Sequence, residues 1–152
     1  MALVGIVIGS KTDEQYIQPA IEILKDFKID YELSIISAHR KPDKVRQYAV
    51  EAWDRGFEVI IAAAGSAAHL PGVVASWTSL PVIGIPLPTS DLKGVDSLYS
   101  IVQMPGGVPV ACVGIGSAGA QNAALLAAQM LGIKYDRIKK ALEEYKQKLA
   151  EA

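Results

Sequence analysis

The chain has 152 residues, 51% of them hydrophobic and 20% charged, with a net charge of -1. That is enough apolar material for one domain over residues 1–152 with a substantial core, and it excludes a disordered chain. The missing basic surplus argues against a general nucleic-acid binder, without excluding a local phosphate site.

Five apolar runs punctuate the chain, at 3–8, 32–36, 59–63, 82–85 and 108–115. They are near-continuous rather than alternating, the pattern of parallel strands covered on both faces. After the first run, Ile17, Ala20, Ile21, Leu24 and Phe27 mark one helical face. Thr12 or Asp13 can cap that helix, and Pro19 is expected near its first turn. After the second run, Pro42 opens a helix whose buried stripe is Val45, Tyr48, Ala49, Ala52 and Trp53, with Gly56 at its end. The third run leads into a helical region over 67–78, with Pro71-Gly72 near the start. The fourth leads to a helix carrying Ser97, Tyr99, Ile101 and Val102. The fifth precedes an alanine-rich helix over 118–131, and a final amphipathic helix carries Ile138, Ala141, Leu142, Tyr145 and Leu149.

The alternation of strands and helices predicts a three-layer, doubly wound α/β fold of the flavodoxin-like type, with five parallel strands in the order 2-1-3-4-5 and an extra C-terminal helix. Ligands of such sheets bind beyond the carboxyl ends of the strands, where the strand order reverses. Strands one and three flank that point.

The chain has two histidines, and each follows a strand-like run. A parallel sheet ends those runs on one edge. Histidine ordinarily titrates near neutrality, so that rim is where proton transfer is expected. Three strings meet there. Gly9-Ser10-Lys11-Thr12-Asp13 turns off strand one and offers main-chain N–H groups and hydroxyls, suited to a phosphate, with Asp13 suited to sugar hydroxyls. It can equally be read as a helix cap and nothing more. Ser37-Ala38-His39-Arg40 leaves strand two. Arg40 can fork onto a phosphate, or else pair with Asp43 on the surface. His39 is the candidate acid and base. Gly65-Ser66-Ala67-Ala68-His69-Leu70-Pro71-Gly72 leaves strand three, and its small residues let a ligand ring approach the backbone. His69 can contact that ligand or simply cap the loop.

Other features point away from cofactor chemistry. The lone Cys112 reads as a buried strand residue, and no paired His/Cys spacing suggests a metal. Gly114-Ile115-Gly116-Ser117-Ala118-Gly119 spells Gly-x-Gly-x-x-Gly, but no βαβ unit follows it, so it reads as a turn with close packing rather than a dinucleotide site. Met1 leads into a strand pattern without a basic n-region, and no run reaches the ~18 apolar residues of a bilayer span. The expectation is a soluble, cytoplasmic protein without a membrane partner.

At these residues the sequence closely resembles the N5-carboxyaminoimidazole ribonucleotide mutase family of de novo purine synthesis. The likeness is carried by Gly9-Ser10-Lys11-x-Asp13, Ser37-Ala38-His39-Arg40-x-Pro42-Asp43, Ala67-Ala68-His69-Leu70-Pro71-Gly72, Gly94-Val95-Asp96-Ser97-Leu98-Tyr99-Ser100-Ile101-Val102-Gln103-Met104-Pro105 and Asn122-Ala123-Ala124-Leu125-Leu126-Ala127-Ala128. The resemblance implies a flavodoxin-like subunit in a homo-octamer, without metal or cofactor, acting on a small ribonucleotide with CO2 as trapped intermediate. It implies His39 as general acid and base. Ser10, Asp13 and Arg40 would bind the nucleotide, and Ser37, Ala38, His69 and Leu70 would lie near it. Thr12, Gly65 and Ser66 complete the expected substrate site. The chain departs from the family pattern at Ala63 and Ser66, where glycines are common, and at Gly106, where many members carry arginine. Two other functions fit the same rim: a direct aminoimidazole ribonucleotide carboxylase, and a non-catalytic mononucleotide-binding module.

Overall fold

A computed structural model describes residues 3–152. Five parallel strands run β1 (Leu3–Ile8), β2 (Asp30–Ile35), β3 (Val59–Gly65), β4 (Val82–Leu87) and β5 (Ala111–Cys112), in the order β2-β1-β3-β4-β5. Six α-helices connect and follow them: α1 (Glu14–Asp26), α2 (Pro42–Glu51), α3 (Leu70–Trp77), α4 (Val95–Val102), α5 (Ser117–Gly132) and α6 (Asp136–Glu151). This is the flavodoxin-like architecture expected from the alternation of runs.

Side chains alternate across the sheet, and the two faces therefore bury different sets. Val4, Ile6 and Ile8 of β1 join Val59, Ile61 and Ala63 of β3 beneath α1 and α5. Val7, Ile60, Ala62 and Ala64 point the other way, toward Val45, Tyr48 and Ala49 of α2 and Val74 of α3. The alanines Ala120, Ala123, Ala124, Ala127 and Ala128 of α5 are all buried, which brings this helix close to the sheet and to α1. Outside α5, α6 seals the layer through Ile138.

Several local expectations need correction. Pro19 sits inside α1 rather than at its first turn. A 3-10 turn over Lys11–Asp13 precedes α1, so the helical path is already established when the proline arrives. Its missing N–H leaves the Gln15 carbonyl without an intrahelical partner. Trp53 is not in the buried stripe of α2; it lies past the helix end and is 64% exposed. Gly56, at φ 88, ends the turns that follow α2 rather than the helix. β5 is two residues long instead of a run over 108–115. Pro109 has no N–H to give a ladder, and Gly116 at φ 77 turns the chain into α5. Cys112 is half-buried rather than core. α4 is anchored at its start. The buried Ser97 hydroxyl donates to the carbonyls of Leu87 and Gly94, each at 2.9 Å, tying the helix start to the end of β4.

The Gly-x-Gly-x-x-Gly string is a packing device. Gly119 lies against the Gly114 carbonyl so closely that an added Cβ would stand 1.6 Å from that oxygen.

Candidate active site

The carboxyl ends of β1, β2 and β3 share one edge because Ile8 is in register with both Ile35 and Ala63. The chain reverses its lateral direction between β1 and β3. There the three outgoing loops cannot crowd one another, and a cleft opens. It holds a cavity of about 330 Å³, within the usual size of small-molecule sites.

All the residues singled out on the sequence line this cavity: Ser10, Thr12, Asp13, Ser37, Ala38, His39, Arg40, Gly65, Ser66, His69 and Leu70. Four further residues line it too: Gly9, Ala64, Ala67 and Thr89. Of these, Thr89 is the one that brings new chemistry to the rim. It follows β4, whose Leu87 is in register with Gly65. Its position after a fourth strand run was the available signal. The missing side chain of Gly65 makes room for it, since a Cβ there would stand 1.7 Å from the Thr89 hydroxyl.

The two imidazoles meet. His39 Nε2 and His69 Nδ1 are 2.6 Å apart, with the rings edge to face at 88°. One hydrogen lies between two ring nitrogens, so one ring donates and the other accepts. Their tautomers are therefore set together.

At the β1 loop, the Ser10 hydroxyl bonds the Thr12 hydroxyl at 2.9 Å and accepts from the Thr12 N–H at 3.4 Å. Ser10 thus caps the 3-10 turn that precedes α1. Asp13 takes the N-cap position of α1 without a side-chain capping bond. It is only 7% exposed. Burial pushes its carboxyl above the ordinary range, and a hydrogen bond from the Ser10 main chain offsets part of that rise. At the β2 loop, the Arg40 N–H donates to the Ser37 hydroxyl at 3.3 Å, which shapes the turn. Among the described residues Arg40 makes no ion pair, so the predicted alternative with Asp43 is not formed. The site therefore combines a free guanidinium, several hydroxyls, a buried carboxyl and a bonded pair of imidazoles. That set can grip an anion and a sugar while moving a proton.

The AIR carboxylase family model matches residues 3–152. The chain belongs to the AIR carboxylase family. It is 62% identical over 148 residues to the N5-carboxyaminoimidazole ribonucleotide mutase of Saccharolobus solfataricus, covering 95% of this chain and 92% of that protein. It is 58% identical over 149 residues to the mutase of the same name from Thermotoga maritima, covering 98% and 86%. Among solved structures, Treponema denticola PurE superposes with a TM-score of 0.87 at 28% identity, over 99% of this chain and 93% of that one. The family's fold and the strand order 2-1-3-4-5 agree.

Proposed function

We propose that the chain is an N5-carboxyaminoimidazole ribonucleotide mutase, an isomerase that moves a carboxylate from the exocyclic nitrogen of the imidazole to ring carbon four. The observation that carries this reading is the pair of imidazoles inside the rim cavity, in a chain 62% identical to a protein of that name.

His39 is the proton carrier. It gives a proton to ring carbon four while the bond between nitrogen and carboxylate breaks. The bonding pair stays on the nucleotide, and CO2 leaves. Carbon four then bonds the CO2 as neutral His39 takes one proton back. The hydrogen remaining on carbon four ends on the exocyclic nitrogen, which restores the aromatic ring. Protons, electrons and CO2 balance, so no redox partner or cofactor is called for. Dispersal of the carboxylate charge favours CO2 loss in a site shielded from water. Small residues there, Ala64, Gly65 and Ala67, leave room for the released CO2.

Binding falls to the other loops. Arg40 and the hydroxyls of Ser10 and Thr12 take the phosphate; Asp13 accepts from the ribose. Ser37, Ala38, Gly65, Ser66, His69 and Leu70 surround the base. The anchored phosphate orients the ring at a distance from the bonds that change. His69 acts through His39, holding its ring and tautomer.

The test is His39→Asn. It is expected to bind the ribotide as tightly as the parent, with turnover reduced ~10²–10⁴-fold or more. Full activity in that variant removes His39 from the mechanism. Turnover by the parent protein only with free aminoimidazole ribonucleotide and CO2 identifies a direct carboxylase instead. Binding without any turnover identifies a nucleotide-binding module.

We also infer a cytoplasmic homo-octamer. Exposed apolar side chains on α3 and α4 support assembly, namely Trp77, Val95, Tyr99 and Val102. A monomer seen by light scattering at micromolar concentration contradicts it.

A further inference from the structure

Among the described residues, three other than glycine adopt a positive φ: Lys28, Ser66 and Lys93. Two have local explanations. Lys28 follows α1, where its N–H reaches the Lys25 carbonyl and the next residue's N–H reaches the Leu24 carbonyl, a usual helix ending. Lys93 closes a turn in which its N–H donates to the Ser90 carbonyl. Ser66 has neither setting. It follows β3, sits at φ 53, and lines the cavity.

A side chain in the left-handed region is strained, and glycine is the residue that relieves the strain. Strain of this kind is kept where the surroundings hold it, and it clusters at ligand sites. Gly65 leaves the space beside it to Thr89, and Ser66 follows it as an exposed residue at the lip of the cavity. The hydroxyls of Ser10, Thr12 and Ser37 already have partners in the protein; that of Ser66 has none among the described residues.

We propose that the Ser66 hydroxyl is a specificity-determining donor that binds the migrating carboxylate of the substrate. This rests on the mutase reading above. The assignment to the carboxylate rather than the phosphate follows from position. Ser66 stands between Gly65 and Ala67, the small cavity-lining residues that leave room for the released CO2, so it belongs to the reacting end. The phosphate is held by the Ser10 and Thr12 hydroxyls of the β1 loop and by the Arg40 guanidinium. A donor to a charged oxygen distinguishes a carboxylated ribotide from the same ribotide lacking that group.

The experiment uses the parent protein, Ser66→Gly and Ser66→Ala. Each is titrated with aminoimidazole ribonucleotide, which has no carboxylate, and with its carbon-four carboxylated product. Mutase turnover of the N5-carboxylated substrate is measured alongside. Ser66→Gly relaxes the backbone and removes the hydroxyl; Ser66→Ala keeps the strain and removes the hydroxyl. Both are expected to lose ~10-fold in affinity for the carboxylated ligand, with KM rising to match, while the uncarboxylated ribotide, which keeps only the contact of Ser66 with the base, loses about 2-fold at most. If Ser66→Ala fails to fold, the glycine variant alone decides. Equal losses for both ligands overturn the carboxylate assignment, and no loss for either overturns the proposal altogether. In both cases a parent protein that turns over leaves the mutase reading standing. A parent protein without mutase turnover overturns that reading and this one together.

Discussion

Replacing Gly119 with alanine tests whether the Gly-x-Gly-x-x-Gly string is a packing device. Two effects oppose each other. Alanine is the better helix former by about 1 kcal/mol. Its Cβ, however, would stand 1.6 Å from the Gly114 carbonyl oxygen and 2.5 Å from the carbonyl carbon. Both obstacles are backbone, so no side chain can swing aside. Restoring a contact of 3.0 Å from 1.6 Å requires α5 or the Gly114 loop to move by about 1.4 Å. α5 is locked by five buried alanines against β3, β4 and α1, so the movement spreads into the core. Overpacking of this kind costs about 3 kcal/mol, which leaves a net loss of about 2 kcal/mol. For a chain of this length that is a fall in thermal midpoint of roughly 4–8 °C. Urea titration with unchanged slope reads the same loss as a lower midpoint. Gly106→Ala is the control. A Cβ there meets nothing within 4 Å, so its midpoint should match the parent protein. Equal stability of Gly119→Ala and Gly106→Ala would refute the close approach, and with it the packing explanation of the motif.

Asp13→Asn probes the buried carboxyl. In the unfolded chain an aspartate ionises near pH ~3.9, whereas burial raises its pKa in the fold. The stability it contributes is full below the unfolded value and is lost as pH rises through the folded one. The variant escapes that loss, so in ligand-free melts its midpoint should gain on the parent protein as the pH rises above about 4 and through the raised folded value. A gap that narrows over that range contradicts the burial argument. The same variant should bind the ribotide more weakly, because the carboxylate proposed to accept from the ribose is replaced by a neutral amide with a single acceptor oxygen. Tyr48→Phe removes a buried hydroxyl that has no partner among the described residues. Leaving such a group unpaired costs about 1 kcal/mol, so the midpoint should rise by roughly 2–4 °C. A clear fall would mean that the hydroxyl is bonded.

The three central strands were legible because a strand covered on both faces is apolar throughout, and the helices because each is apolar on one face; β2 and β5, at the sheet edges, have no fully buried residue and were read from their apolar runs alone. The rim residues were legible as well. Their position after strand runs, together with the parallel topology, is enough to place them on a common edge. What local pattern could not show was exposure at the ends of elements. Trp53 continues the apolar stripe of α2 in spacing, yet the helix ends before it and the ring faces out. The run over 108–115 is apolar, but pairing with β4 stops after Cys112.

The chain alone determined a doubly wound sheet and the residue types at its carboxyl edge, because periodicity and turn chemistry act over a few neighbours. Tertiary structure decided which of those side chains touch. His39 and His69 are thirty positions apart, and their 2.6 Å contact exists only because β1 lies between β2 and β3. The left-handed turn at Ser66, the seat of Thr89 on Gly65 and the contact of Gly119 with Gly114 have the same origin. Each is a distance between segments that meet only when the sheet is assembled, and such distances have no period along the chain.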